Sequence, residues 1–387
     1  MTGALGGAVK RSAPPRWRRV LRLWHRWFGL GAAVWLLLLA VTGSAIVFYE
    51  ELDRALNPDW RSIPVAAAPR TPAADRAVEA AARAVPGFSP RYIDLPDKPG
   101  ETIVMLGEID APDGKGGPAQ VFADPRDGQV LGWRRNDVVS FDRRHLMDTL
   151  YGLHVDLKLG PAMTWFLGLV GLLWAIDHIA AIILAIPSVK AWRSAFRIQG
   201  RGLNLRRVFD LHRAPGLWLA PVTLVVAVTG TVLAWPDDSR EAVRLVAPVS
   251  ERLHEHYPSK GPPPAPIGVD RAVAIATGHT RAAADSVLVV ARKGVYGVRT
   301  FDDRDLDHLG RLWTYVAMAD GRIVGQRHDN GQGAGDGFFA WQYPLHSGQA
   351  LGLTGRLLVL ASGLATILLC VTGVVLWARR RPKPRRS

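Results

Sequence analysis

The chain has 387 residues, 48 of them Lys or Arg against 34 Asp or Glu, and 48% of it is hydrophobic. The net charge of +14 would suit a nucleic-acid binder, but residues 1–26 hold seven basic residues and no acid, 190–213 seven and one acid, and 379–387 six and none. The positive excess therefore flanks apolar blocks on one side, which excludes nucleic acid as the partner. The single cysteine, Cys370, excludes a disulfide framework, a CxxC pair and a Cys-based iron–sulfur site.

Four stretches are nearly free of charge: 27–49, 159–189 (interrupted only by Asp177), 214–235 and 357–378. Each provides the roughly 20 residues an α-helix needs to cross a hydrocarbon core, where the backbone must satisfy its own hydrogen bonds. The basic pieces place both termini and the middle loop in the cytoplasm and export the two long connections. A cleaved signal peptide is the other reading of the first span, with Gly43–Ala45 as a weak cleavage site. Its length and its match to the third span argue that it stays.

In chain order the expected organisation is a basic tail (1–26), span one (27–49), an exported unit (50–153), span two (154–189), a basic loop (190–213), span three (214–235), a second exported unit (236–345), span four (346–378) and a basic tail (379–387). The first exported unit has an Ala-rich helical pattern from Ala77 to Pro90, then strand-like ETIVML and AQVFADPRDGQVLGW, the latter folded at an Asp-Pro-Arg-Asp-Gly turn. The second echoes it with helical DRAVAIATGHT and strand-like DSVLVVAR, YGVRTF and LWTYVAMADGRIVGQR. Pro258–Gly268 reads as a Pro-rich linker. The fold class expected is thus a four-helix membrane bundle with two small α+β exported domains, duplicated internally as span, domain, span.

The register of the repeat singles out histidines. Counting from His25 and from His212, Arg falls at +1 (Arg26, Arg213), Gly at +4, Leu at +5 and Val-Thr-Gly at +16 to +18. Counting from His154 and from His346, Leu falls at +5 and Gly at +6 and +17. Spans one and three run outward and spans two and four inward, so His25 pairs in depth with His212 and His154 with His346. The 18 residues from His25 to Gly43 cover about 27 Å of helix. Two neutral imidazoles from facing helices can fill both axial positions of a haem iron, so the pairs point to two haem b groups, one per face. Glycines at +4 and +18 would leave a groove for a flat macrocycle, and Arg26 and Arg213 could balance its propionates. The bland reading is that interfacial histidines are amphipathic edge residues and that spaced glycines serve helix packing.

Other residues carry weaker signals. Asp177 and His178 are ionisable inside a span, a pattern that leans functional; a third ligand, a proton or quinone site, or mutual pairing are the options. His145 reads as exported surface, as do His254, His256, His279, His308 and His328. Gly331–Gly337 lacks the strand and helix of a dinucleotide fingerprint and reads as a flexible approach to span four. His-Glu-His at 254–256 is not HExxH, so a zinc protease has no support.

The motifs LWHRWFGL…VTG, LYGLHVDLKLG, LHRAPGLW…VTG and WQYPLHSGQALGLTGRLLVLASG…VTGVVLWARRRP cover nearly all of the chain. Together they resemble the PepSY-associated transmembrane family, including iron-regulated membrane proteins and siderophore reductases of the FoxB and PiuB type. AVPGF…VFADPRDGQVLG looks like a PepSY unit. The resemblance implies a bacterial inner-membrane, haem-bearing oxidoreductase that reduces periplasmic ferric siderophores, with His25, His212, His154 and His346 at the family's membrane histidines. The Gly-Arg step at 355–356 adds Arg356 to the cofactor-binding set. The cytoplasmic pieces are too short for a flavin or nicotinamide domain, so electrons would come from a separate protein or from membrane quinol. The alternatives are a non-enzymatic PepSY binding or regulatory module on a plain helical anchor, and a haem conduit serving another reductase.

Overall fold

The computed structural model describes residues 15–379 apart from 70, 112–115, 187, 189–191, 252, 253, 255, 256, 260, 308 and 332. The first half opens with α1 (Arg16–Ile46), followed by α2 (Tyr49–Leu56), α3 (Pro58–Arg61) and α4 (Ala74–Ala84). It continues through β1 (Phe88–Asp94), β2 (Ile103–Ile109), β3 (Gly117–Ala123) and β4 (Val130–Arg135) to α5 (Leu146–Val155) and α6 (Pro161–Ala185). After the short α7 (Trp192–Ala195) the order returns: α8 (Leu205–Ala234), α9 (Pro236–Arg244), α10 (Val269–Thr280), β5 (Ala284–Val290), β6 (Val295–Thr300), β7 (Leu312–Ala317), β8 (Ile323–His328), α11 (Ala334–Ser347) and α12 (Gly352–Arg379).

Among the described residues four helices are long and apolar enough to cross a membrane: Arg16–Ile46, Pro161–Ala185, Leu205–Ala234 and the stretch 349–379. Helix α1 packs on α6 and α12, and α8 packs on the same two, so α1 and α8 face each other across the bundle. Small residues let the backbones approach. A Cβ at Gly171 would lie 2.8 Å from the Thr231 hydroxyl, and one at Gly363 would run into Ser44.

The helix bounds depart from the sequence expectation in an instructive way. Basic Arg18, Arg19 and Arg22 are helical, so α1 begins well before residue 27. Span two does not start at His154. Helix α5 ends there, the chain reverses through Leu157 and Lys158 at φ 55° and 56° and Gly160 at φ 83°, and Pro161 opens α6. The same happens before span four, where Gly348 at φ 80° closes α11 and Gly352 at φ 55° leads into α12. Proline fits the first turn of a helix and glycine the left-handed residue that ends one.

The strands form one antiparallel sheet in the order β4-β3-β2-β1-β5-β6-β7-β8. The two α+β units expected from the sequence therefore do not close separately. They meet at the β1–β5 seam, where Tyr92, Ile93 and Asp94 pair with Leu288, Val287 and Ser286. Strand β1 was not legible in the sequence, because it follows directly on the Pro-Gly that ends α4. Helices α4 and α10 cover one face through Ala77, Ala81, Ala272 and Ala276, all fully buried against Ile93, Met105, Val287 and Val298. Each helix also caps the other: the Ala74 amide donates to Asp270 at 2.9 Å, and the Val269 and Asp270 amides donate to Asp75. Residues 331–337, expected to be a flexible approach, include the first turn of α11, whose Asp336 is buried and accepts from the Ser250 amide and hydroxyl at 2.9 and 2.6 Å.

Candidate functional site

The folding brings the four register-matched histidines together as two pairs. At the end of the bundle away from the sheet, the rings of His25 (α1) and His212 (α8) have centroids 6.1 Å apart and planes at 65°. At the sheet end, His154 (α5) and His346 (α11) have centroids 6.2 Å apart and planes at 54°. An ion bound by one nitrogen of each ring at about 2 Å would separate the ring centres by about 6 Å. Both pairs stand at that spacing.

Each ring is fixed through Nδ1. His154 Nδ1 lies 3.2 Å from the Thr42 hydroxyl and 3.1 Å from the Leu39 carbonyl, both on α1. His346 Nδ1 lies 3.0 Å from the Thr229 hydroxyl on α8. His212 Nδ1 lies 3.0 Å from the Thr372 hydroxyl on α12, and His25 Nδ1 2.8 Å from Asp177 Oδ2 on α6. A ligating imidazole is held in this way by the partner of its other nitrogen, which sets tautomer and ring direction. Burial lowers His154 and His346, which precede the long helices, to a pKa of about 4, so both are neutral at physiological pH.

The repeated Val-Thr-Gly now has a physical reason. Its threonine anchors a histidine from another helix, and its glycine clears space for that ring. A Cβ at Gly43 would sit 2.8 Å from His154 Cε1, one at Gly230 3.0 Å from His346 Cε1, and one at Gly373 3.3 Å from His212 Cε1. The glycine at +18 from each distal histidine thus serves the histidine at the opposite end of the bundle. The +4 glycine differs: Gly29 has nothing within 4 Å of an added Cβ. The sequence showed the repeat of these threonines without a role for them. Their presence in three spans, each followed by glycine, was the available signal.

The short helices that carry His154 and His346 are tied to the sheet. Buried Arg134 on β4 donates to Asp53 at 2.8 and 3.0 Å, to Gln120 at 2.9 Å and to the Tyr49 hydroxyl at 3.0 Å, and it also reaches the Arg144 carbonyl just before α5. Asp148 on α5 takes Asn136 at 2.9 Å and Lys158 at 2.8 Å. In the second half Asp336 on α11 pairs with Arg327 at 3.4 Å. Tyr151 and Tyr343 lie one turn before His154 and His346 and are about half exposed, as is Trp341, two residues before Tyr343. Arg91 and Tyr92 lie on the central strand β1, whereas Arg143 and Arg144 pair with Asp59.

The remaining expectations divide. Arg26 is exposed over the Trp27 ring at 4.9 Å, with no carboxylate partner among the described residues. Arg213 is bound to Asp210 at 2.8 Å and to the Ser194 carbonyl at 3.0 Å, and so is committed inside the fold. Arg356 clamps Glu51 at 2.7 and 2.8 Å and the Val47 carbonyl at 2.8 Å, holding the start of α12 to the end of α1 and the Glu51 carboxyl below its usual range. Asp177 pairs with His25 and not with its neighbour His178. His178 instead meets the Trp174 carbonyl through Nδ1 at 2.7 Å and the Thr223 hydroxyl through Nε2 at 2.9 Å, so both its nitrogens are engaged. His328 is not solvated; it is buried with Nε2 3.2 Å from Asp305. His254 is partly buried 3.3 Å from the Tyr315 hydroxyl, His145 bonds Asp142 at 2.9 Å, His279 is exposed, and His256 and His308 lie outside the described residues.

These features define a membrane protein with four spanning-length helices, a fused antiparallel sheet and a facing histidine pair at each end of the bundle. The family model of the PepSY-associated TM region matches residues 22–380, and the chain belongs to that family. It is also 28% identical over 265 residues to an uncharacterized protein of Pseudomonas aeruginosa, covering 61% of this chain and 64% of that relative, which is under two thirds of its length.

Proposed function

We propose that the protein is a di-haem b membrane oxidoreductase that carries electrons across the bilayer and reduces ferric siderophores on the sheet side. The observation that carries this reading is the pair of histidine pairs, each about 6 Å between ring centroids and each ring anchored through Nδ1. The residues fit such a group on a further count: glycines, not larger residues, stand against three of the four rings.

His25 and His212 would hold one haem and His154 and His346 the other; when bound, each supplies one-electron exchange between ferrous and ferric iron. The chain's own residues orient the rings and set the two positions about 25 Å apart along the helices, the 17 residues from His25 to Thr42. Of the two arginines expected to neutralise propionates, Arg26 remains available and Arg213 serves Asp210. The charge distribution of the sequence supports a cytoplasmic distal end and a periplasmic sheet in a bacterial inner membrane. The exposed Tyr151, Trp341 and Tyr343 give the sheet-side pair an open aromatic margin, suited to approach by a bulky chelate and not to acid–base chemistry. One electron converts chelated Fe(III) to Fe(II), which binds hard oxygen donors such as hydroxamates less tightly, and the electron is replaced from quinol or a cytoplasmic reductase.

An optical spectrum of the purified protein tests the reading. Reduced b-type bands from non-covalent haem are expected, since the chain has no CxxCH. A colourless protein after expression with ample haem would overturn it. Anaerobically, ferric hydroxamates should reoxidise the dithionite-reduced protein faster than buffer, and His346→Ala should abolish this.

A further inference from the structure

We infer that Asp177 sets the two centres apart in reduction potential and makes the sheet-distal one the lower. The inference rests on the proposed pair of haems and deepens it by assigning a direction.

The hydrogen-bond anchors of the four histidines differ in charge. His154, His346 and His212 are anchored on neutral oxygens: Thr42 with the Leu39 carbonyl, Thr229, and Thr372. His25 is anchored on a carboxylate, Asp177 Oδ2 at 2.8 Å. Asp177 is 5% exposed, and its second oxygen, Oδ1, is buried with no hydrogen-bond partner. Among the described residues no Lys or Arg pairs with Asp177; Arg26, next to His25, lies exposed over the Trp27 ring. Arg213 serves Asp210 and the Ser194 carbonyl, and Arg18 serves the carbonyls of Ile183 and Ile186.

Two consequences follow for whatever iron His25 holds. A carboxylate accepting the Nδ1 proton makes the imidazole a stronger donor through its other nitrogen. A buried negative charge without a neutralising partner also acts over a longer range than it would in water. Both effects favour the more positive iron state, ferric over ferrous, and lower the potential. The sheet-side pair, with hydroxyl and carbonyl anchors only, lacks both. Transfer from the distal end towards the sheet is then downhill, the sense that reduction of a substrate on the sheet side requires. Asp177 is a positioning residue here, acting through His25.

The test is a redox titration of the haem-loaded full chain followed by its visible spectrum. His346→Ala leaves only the distal haem and so assigns its midpoint. In that background Asp177→Asn should raise the midpoint, changing the ferrous-to-ferric ratio at a fixed potential at least tenfold, about 59 mV for one electron. In the otherwise unaltered chain Asp177→Thr, which copies the Thr372 anchor, should bring the two midpoints together, and it gives the reading if Asp177→Asn does not load. Either variant with a bound distal haem and an unchanged midpoint overturns the inference. So does a distal midpoint above the sheet-side one in the unaltered protein, or loss of the distal haem from both variants, which would make Asp177 a structural prop only. Absence of haem from the unaltered protein would instead remove the proposed function on which the inference stands.

Discussion

The two histidine pairs reach nearly the same spacing by different construction. His25 and His212 sit directly on spanning-length helices α1 and α8, whereas His154 and His346 sit on short helices α5 and α11, each ending in a left-handed reversal. The distal pair thus inherits its position from helix packing alone. The sheet-side pair depends in addition on how α5 and α11 are tied to the sheet. Changes in the sheet should therefore reach one pair and spare the other.

The strongest way to break this comparison is to remove the four proposed haem ligands one at a time. His25→Ala or His212→Ala should abolish one haem, halving the haem-to-protein ratio, while leaving the other, and His154→Ala or His346→Ala should do the reverse. Pyridine haemochrome quantification of the four variants checks it. Full haem content in all four would show that the pairs hold no haem.

A second perturbation tests the tie to the sheet. Arg134 and Asp53 have fully buried side chains, bonded bidentately at 2.8 and 3.0 Å. Removing one partner of a buried ion pair costs about 3–5 kcal/mol when the other charge is left alone, an upper bound here because Arg61 also stands 3.4 Å from Asp53. Arg134→Met should therefore lower the thermal transition of the sheet and loosen the sheet-side haem, with the distal haem retained. Equal loss from both ends would show that the sheet and the distal pair are coupled after all.

The sequence made parts of this arrangement legible and hid others for physical reasons. Hydropathy marked four spans because lipid leaves the backbone few options, and the 187-residue offset between His25 and His212 marked the pairs because both helices start from the same relative position. The fused sheet was hidden: β1 pairs with β5 across nearly 200 residues, and no local periodicity encodes a long-range seam. The breaks at Leu157–Gly160 and Gly348 were hidden as well, since the shared register counted from His154 and His346 ran straight across them into the apolar stretches. The Asp177–His25 bond was missed because sequence adjacency suggested His178 as the partner, whereas successive helical residues diverge by about 100°.

Close approach of glycine to imidazole offers a finer perturbation. Gly43→Ala and Gly230→Ala would place a methyl 2.8 and 3.0 Å from His154 and His346. Overpacking of this kind costs about 1–3 kcal/mol. Sheet-side haem retention should fall in both, while Gly29→Ala, with open space around it, changes nothing. Competition with apomyoglobin for haem gives the dissociation rates.

The smallest expected effect separates anchor from ligand. Thr229→Val and Thr372→Val keep the volume of the side chain and remove only the hydroxyl bonded to His346 and to His212 at 3.0 Å each. A neutral hydrogen bond contributes about 1 kcal/mol net, so haem affinity should fall about fivefold at one centre per variant. The two should differ in where they act, Thr229→Val on the sheet-side haem and Thr372→Val on the distal one, although each threonine lies in the same Val-Thr-Gly motif. That difference arises because α8 carries its motif at the sheet end and α12 carries its own at the distal end, the chain running in opposite directions through the two helices. Haem affinity measured at each centre, in backgrounds where His25→Ala or His346→Ala has silenced the other, would show the effects on opposite faces. Both falling on the same face would mean that the threonines act through general bundle packing and not through the ring they touch.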